Sequence, residues 1–122
     1  MQTTQKKAVA AYLALSMMAR KPMNSFAAFK LFKLKKALAD IVEFQSDQEH
    51  KLVEELGGSI TETGEILLED KEKRAEYAAK HRELEEMECE IDTKRIIMTM
   101  KELPDLSLAD MEALDEFIEW KE

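Results

Sequence analysis

The sequence of 122 residues contains few of the residues that interrupt regular structure or build covalent frameworks. It has only three glycines and two prolines, so long uninterrupted elements are expected. Its single cysteine, Cys89, has no second thiol in the chain for a disulfide, which favours a reducing, cytoplasmic location. No stretch reaches about 18 consecutive apolar residues, so the sequence predicts no transmembrane helix.

Motifs for catalysis or for cofactor binding are also missing. The sequence has no glycine-rich phosphate loop, no nucleophile elbow and no metal-ligand spacing. His81 precedes Cys89 by more than two helical turns, which is too far for a histidine to activate the thiol. His50 and His81 stand among charged residues and are expected to be surface side chains. We therefore expect a protein that is not an enzyme and that uses no metal and no cofactor.

The charge is acidic overall but unevenly distributed. The formal net charge is −8, with +7 on residues 1–40 and −15 on residues 41–122. An acidic chain repels the phosphate backbone, so nonspecific nucleic-acid binding is not expected. The basic first third therefore needs a different explanation.

Hydrophobic periodicity and turn residues divide the chain into a few elements. The predicted order is a helix over 4–20, a helix over 25–56, a β-hairpin within 59–68, a helix over 71–90, a strand or helix over 92–100, and a helix over 108–120. The second helix would be ~48 Å long at ~1.5 Å per residue. Because a compact domain of this size has a radius of gyration of only ~14 Å, this helix must protrude, bend or pack against another copy.

The second helix carries a long apolar stripe. Its members recur at helical spacing and are Phe26, Ala27, Leu31, Leu34, Leu38, Ile41, Leu52 and Leu56. The third helix has a thinner apolar face, which cannot cover the whole stripe, so a homo-oligomer is expected. The candidate interface residues are Leu31, Leu34, Leu38 and Ile41 of this stripe, with Phe117 and Trp120 as aromatic anchors near the C-terminus.

These patterns predict one domain over residues 1–122 with an α+β, mainly α fold. Its main feature is a long antiparallel helical hairpin, to which a small β-hairpin or sheet and a C-terminal helix are added.

The second helix also carries a basic cluster, which has two interpretations. Lys30, Lys33, Lys35 and Lys36 alternate with Phe29 and Phe32, a pattern that can bind an anion or stack a base. In an antiparallel helical hairpin, however, the last three of these lysines would face Glu86, Glu88 and Glu90 of the third helix. Ion pairing with those glutamates would explain the charge asymmetry without any ligand.

Several segments together give the chain a familiar layout. "FKLFKLKKAL" begins the long helix, "ELGG" ends it, "ITETGEILLEDKEKRAEY" follows, and "LSLADMEALDEFI" closes the chain. This order resembles a family of small uncharacterised proteins encoded by bacteriophages and prophages. The resemblance implies the cytoplasm of a bacterial host cell and a role in the phage cycle, and it implies no particular functional residue.

The expected function is therefore that of a non-enzymatic interaction or assembly protein. Its expected partners are further copies of itself and another phage or host protein, and neither a membrane nor nonspecific nucleic acid is expected. The alternative is an oligomer that sequesters an anionic, nucleotide-like ligand through the four lysines.

Overall fold

The computed structural model describes residues 1–121, which form four α-helices and six short strands. The helices are α1 (Gln5–Met18), α2 (Ser25–Glu55), α3 (Lys71–Glu86) and α4 (Leu108–Leu114). The strands are β1 (Gln2–Thr4), β2 (Ser59–Ile60), β3 (Ile66–Leu67), β4 (Glu88–Glu90), β5 (Ile96–Thr99) and β6 (Ile118–Lys121). The predicted α+β, mainly α fold with one long helix is confirmed.

The main core lies between α1 and the first half of α2. The core face of α1 is built largely from alanines, Ala8, Ala11 and Ala14, and these small side chains allow a close approach of the two helices. The α2 residues Leu34 and Leu38 are fully buried in this core. The stripe that was expected to need a second chain is thus covered at this end by α1 of the same chain.

Phe26 was predicted in the apolar stripe of the second helix, but it does not lie on the buried side of α2. Asn24 caps α2, its side-chain oxygen accepting from the Phe26 amide at 2.8 Å, so Phe26 lies in the first turn. It points about 100° around the helix from its buried neighbour Ala27, and its side chain is therefore exposed.

Two pairs of strands close the core from the other side. β1 pairs antiparallel with β4, placing Thr3 opposite Cys89, and β5 pairs parallel with β6. The third helix was predicted to reach Glu90 and the last one Trp120. In the structure α3 ends at Glu86 and α4 at Leu114, and the chain continues after each of them into a strand. The strands in question, β4 and β6, each pair with a segment that is distant in sequence, and local propensity cannot predict such pairing.

Residues 92–100, for which both strand and helix were considered, contain the strand β5. Its partner is β6, with which it pairs in parallel. The amide of Ile96 donates to the Phe117 carbonyl at 2.9 Å at the start of this ladder. Phe117, Ile118 and Leu114 are buried beneath it in the main core.

A second, smaller core lies at the far end of α2. The predicted hairpin is present as β2 and β3, and Gly57, at φ +74°, ends the long helix in the left-handed conformation. Leu52, Leu56 and Leu68 form this core, with Tyr77 of α3 packed against them. Leu84 is the one buried residue of α3, so this half of the molecule has few apolar contacts.

Candidate functional site

The face of α2 that points away from α1 is the most unusual surface of the described chain. We call it the outer face, and it consists of Phe26, Phe29, Phe32, Lys33, Lys36, Asp40, Glu43, Phe44, Asp47 and His50. These residues lie within about half of the helix circumference, opposite the core stripe. All ten are exposed.

Four phenylalanines give this outer face its apolar part. Phe26 is 78% exposed, Phe29 60%, Phe32 59% and Phe44 40%. Single exposed apolar side chains are common, but Phe26, Phe29 and Phe32 follow one another along one side of the helix, an arrangement typical of interaction surfaces. Aromatic side chains also dominate the binding energy of protein interfaces.

The four predicted anion-binding lysines do not converge on one point. Lys30 is engaged within the chain, since its Nζ donates to the Ile97 carbonyl at 3.1 Å and lies 3.6 Å from Glu102 Oε2. Lys35 turns towards α1, with its Nζ 5.2 Å from the centre of the Tyr12 ring. The cluster is therefore divided between different sides of α2.

Lys33 and Lys36 are the two lysines on the outer face. The Nζ of Lys33 lies 5.4 Å from the centre of the Phe29 ring, a cation–π distance. The predicted ion pairs of Lys33, Lys35 and Lys36 with Glu86, Glu88 and Glu90 do not form. The reason is that α3 ends at Glu86 and the next residues pair with β1 instead of running along α2.

The predicted interface residues lie mostly inside the chain. Leu31, Leu34, Leu38 and Phe117 are buried in the main core, and Ile41 and Trp120 are half-buried against it. The indole N–H of Trp120 donates to Asp115 Oδ1 at 3.2 Å. In this conformation the four buried side chains are not available to a partner, because they lie inside the main core.

A small groove lies between the end of α1 and the start of α2. It has a volume of about 250 Å³ and is lined by Leu15, Met18, Met23 and Leu31, with Lys21 and Lys35 also beside it. Ligand pockets usually enclose about 300–1,000 Å³, so the groove is below this range. It can accept an apolar side chain, and it continues onto Phe32 of the outer face.

A polar cluster joins α2 to α3 and includes one of the two histidines. His81 is half-buried, contrary to the prediction of a surface position, and its ring is stacked on Tyr77. Nε2 lies 2.9 Å from Glu49 Oε2 and Nδ1 lies 3.1 Å from Glu85 Oε1. Glu49 belongs to α2 and Glu85 to α3, so the contacts of His81 connect these two helices.

Tyr77 in this cluster has a buried hydroxyl oxygen with no hydrogen-bond partner among residues 1–121. Burial, followed by the negative charges of Glu49 and Glu85, raises the pKa of the phenol above its ordinary value. The deprotonated form is therefore disfavoured in the folded state.

Replacing Tyr77 with phenylalanine should leave stability at neutral pH unchanged or raise it by up to about 1 kcal/mol, because an unpaired buried hydroxyl is removed. Above about pH 10 the advantage should grow. The unfolded phenol then releases its proton while the folded one keeps it, so the parent chain, but not the variant, loses stability as the pH rises. Urea unfolding at neutral and alkaline pH measures both effects, and a marked loss of stability in the variant would contradict this account.

Cys89 does not have the surroundings of a reactive thiol. It is half-buried in β4, and desolvation together with the nearby Glu116 carboxylate raises its pKa. At neutral pH the side chain is thus a neutral thiol, while the thiolate is the nucleophilic form.

Within the described residues, no cluster of three or more histidine, cysteine or acidic side chains is arranged to hold a metal ion. No helix there combines the length and the apolar character needed to cross a membrane. Comparison with known proteins gave no match to a family model, to a curated protein or to a solved structure.

Proposed function

We propose that this protein is a non-enzymatic interaction or assembly protein that acts as a homo-oligomer. The supporting observation is the row of exposed phenylalanines on the outer face of α2, at Phe26, Phe29 and Phe32. Covering these rings removes apolar surface from water, which favours association by roughly 25 cal/mol for each Å² that is buried. The proposed setting is the cytoplasm of a bacterial host cell during a phage cycle, as the sequence resemblance implies.

The fold supports a binding role for this surface in a second way. α2 is a continuous helix of 31 residues, held along its opposite side by the main core and, further on, by α3. A surface on a helix that is fixed along its length loses little conformational entropy when it binds a partner. The outer face is thus already ordered for a protein–protein contact.

A second candidate function is the sequestering of an anionic, nucleotide-like ligand by an oligomer. It is favoured by Lys33 and Lys36, which are exposed, one helical turn apart and free of carboxylate partners within residues 1–121, with the Phe29 ring beside them. Lysine charge and aromatic stacking together are the means by which proteins hold single nucleotide bases and their phosphates. Lys30 and Lys35, which are directed elsewhere, are not part of this smaller site.

Light scattering across a range of protein concentrations, combined with thermal unfolding in the presence of a nucleotide panel, tests both candidates. The assembly function predicts a dimer or larger species, weakened by the double substitution Phe26→Ala and Phe29→Ala. The matched control is Leu67→Ala, which removes an exposed apolar side chain from β3, and it should leave the assembly intact.

The sequestering function predicts a rise of several degrees in the unfolding temperature with one nucleotide, lost in Lys33→Glu. A monomer at every concentration with no thermal shift would contradict both functions. A double phenylalanine variant that assembles as well as the parent chain would remove the outer face from the assembly proposal.

A further inference from the structure

In the central part of the outer face of α2, from Phe32 to Phe44, residue types mirror one another about residue 38. Lys36 and Asp40 lie at equal distances on the two sides of this position, as do Lys33 and Glu43. In both pairs the member before residue 38 is basic and the member after it is acidic. Further out, Phe32 and Phe44 are also related by this mirror, so one phenylalanine flanks the charged centre on each side, while Phe29 and Phe26 correspond to Asp47 and His50.

We propose, building on the homo-oligomer proposed above, that two copies pair their α2 helices antiparallel, outer face to outer face, about a two-fold axis at residue 38. In a two-fold interface, each contact from residue i to residue j occurs twice, once in each direction. Lys36 then meets Asp40 of the partner subunit, and Lys33 meets the partner's Glu43. Four ion pairs form across the axis, and Phe32 packs against the partner's Phe44.

The four charged side chains are available for this contact. Lys33, Lys36, Asp40 and Glu43 are exposed, and none of them forms an ion pair within residues 1–121. Lys30, one turn away on the side of α2, contrasts with them because it is engaged by Glu102. Lys30, beside the outer face, therefore has an ion-pair partner within its own chain, whereas these four charged side chains remain available to a second copy.

Other arrangements of the two helices place like charges together. A parallel pair would bring Lys33 against the partner's Lys33. An antiparallel pair shifted by one turn would place either Lys36 against the partner's Lys36 or Asp40 against the partner's Asp40. Like charges facing each other at an interface select against the arrangement that creates them, so charge favours the register about residue 38.

The shape of α2 at the axis also suits a close contact. Leu38 points into the core and is fully buried, while its neighbours Ala37 and Ala39 flank the outer face with small side chains. Covering the exposed parts of four phenylalanines in each copy would bury roughly 900 Å² in the pair, at ~200 Å² for each ring. With the charged side chains added, the contact would exceed the ~1,000 Å² that specific interfaces require.

Two complementary charge-reversal variants test this register. The first, Lys33→Glu with Lys36→Glu, makes the charged part of the outer face wholly acidic, and the second, Asp40→Lys with Glu43→Lys, makes it wholly basic. All four positions are exposed, so both variants should fold, which far-ultraviolet circular dichroism verifies. Each alone should dimerise on the order of 10–100-fold more weakly than the parent chain, because its copies repel each other.

An equimolar mixture of the two variants should form a heterodimer, because every reversed side chain then meets a side chain of opposite sign. The variant with all four substitutions should pair with itself again for the same reason. Native mass spectrometry distinguishes the heterodimer from either homodimer by mass. Raising the salt concentration should weaken the parent dimer.

Each contrary result has a separate meaning. A parent chain that oligomerises, together with reversal variants that associate as tightly as it does, would overturn this register while leaving the proposed assembly function in place. Folded, monomeric variants that fail to pair when mixed would also overturn it. A parent chain that stays monomeric at every concentration would overturn the register and the assembly function together.

Discussion

Replacing Leu34 with alanine should lower the free energy of unfolding by about 3 kcal/mol, within the 2–5 kcal/mol range for buried leucines. Leu34 is fully buried between α1 and α2, where rigid helices can collapse only partly into the cavity. The unfolding midpoint should fall by on the order of 10 °C for a chain of this length. Urea unfolding followed by circular dichroism measures the loss, at one fixed protein concentration because association also contributes to stability.

The matched control for this variant is Ser46→Ala on the same helix. Ser46 is exposed and lies outside the outer face, so its replacement should change stability by less than about 0.5 kcal/mol. A Leu34→Ala variant as stable as this control would contradict the coverage of α2 by α1. A variant that stays folded but dissociates would restore the earlier expectation that Leu34 belongs to an interface between copies.

Replacing Phe117 with alanine should cost about 3–5 kcal/mol. Phe117 is the largest of the fully buried side chains and lies where α4 turns into β6. Because small proteins have only about 5–15 kcal/mol of stability in total, this variant should be partly unfolded at physiological temperature. Phe117→Leu, which conserves most of the side-chain volume, should cost less than about 1.5 kcal/mol. This variant should stay folded, so that its free energy of unfolding can be measured.

The control for Phe117 is Leu108→Ala in the neighbouring helix. Leu108 is 73% exposed, so its truncation should have little effect on stability. Thermal unfolding of the three variants at equal concentration provides the comparison. If Phe117→Ala proved as mild as Leu108→Ala, β6 would not form part of the core, and the parallel pairing of β5 with β6 would be in doubt.

The helices were the part of the fold that the sequence could predict. The apolar period of α2, the Asn24 cap and the Gly57 end are local signals, and the predicted helix over 25–56 differs from the structure by one residue. The hairpin after Gly58 was found for the same reason. Local chemistry determines where α2 begins and ends, whereas the predicted ends of α3 and α4 lie four and six residues too late, because those segments continue into strands.

The short strands were not predictable in this way. β1 and β4 have three residues each and come together from opposite ends of the chain, and Cys89 and Glu90 also fit the end of an acidic helix. The same holds for Ile118–Lys121, whose residues continue the apolar pattern of α4. Their conformation depends on tertiary pairing, which overrides weak local preference.

The candidate site was only half visible in the sequence. Lys33 and Lys36 with Phe29 were recognised, but the prediction grouped them with Lys30 and Lys35, which lie on other sides of the helix. The sequence could have separated them, because ~100° of rotation per residue places Lys33 and Lys35 far apart around α2. Which side faces α1, however, depends on the packing of a second helix and not on the sequence of α2 alone.

Two cores of unequal size are held by one helix. The larger contains fourteen buried residues and the smaller only three, and α2 passes from one to the other without interruption. The free energy of local opening therefore differs along the molecule, being low where α3 and the hairpin meet the end of α2. We therefore expect the part around the smaller core to open locally while the part around the larger core stays folded. The proposed two-fold axis passes α2 at the level of residue 38, which belongs to the larger core.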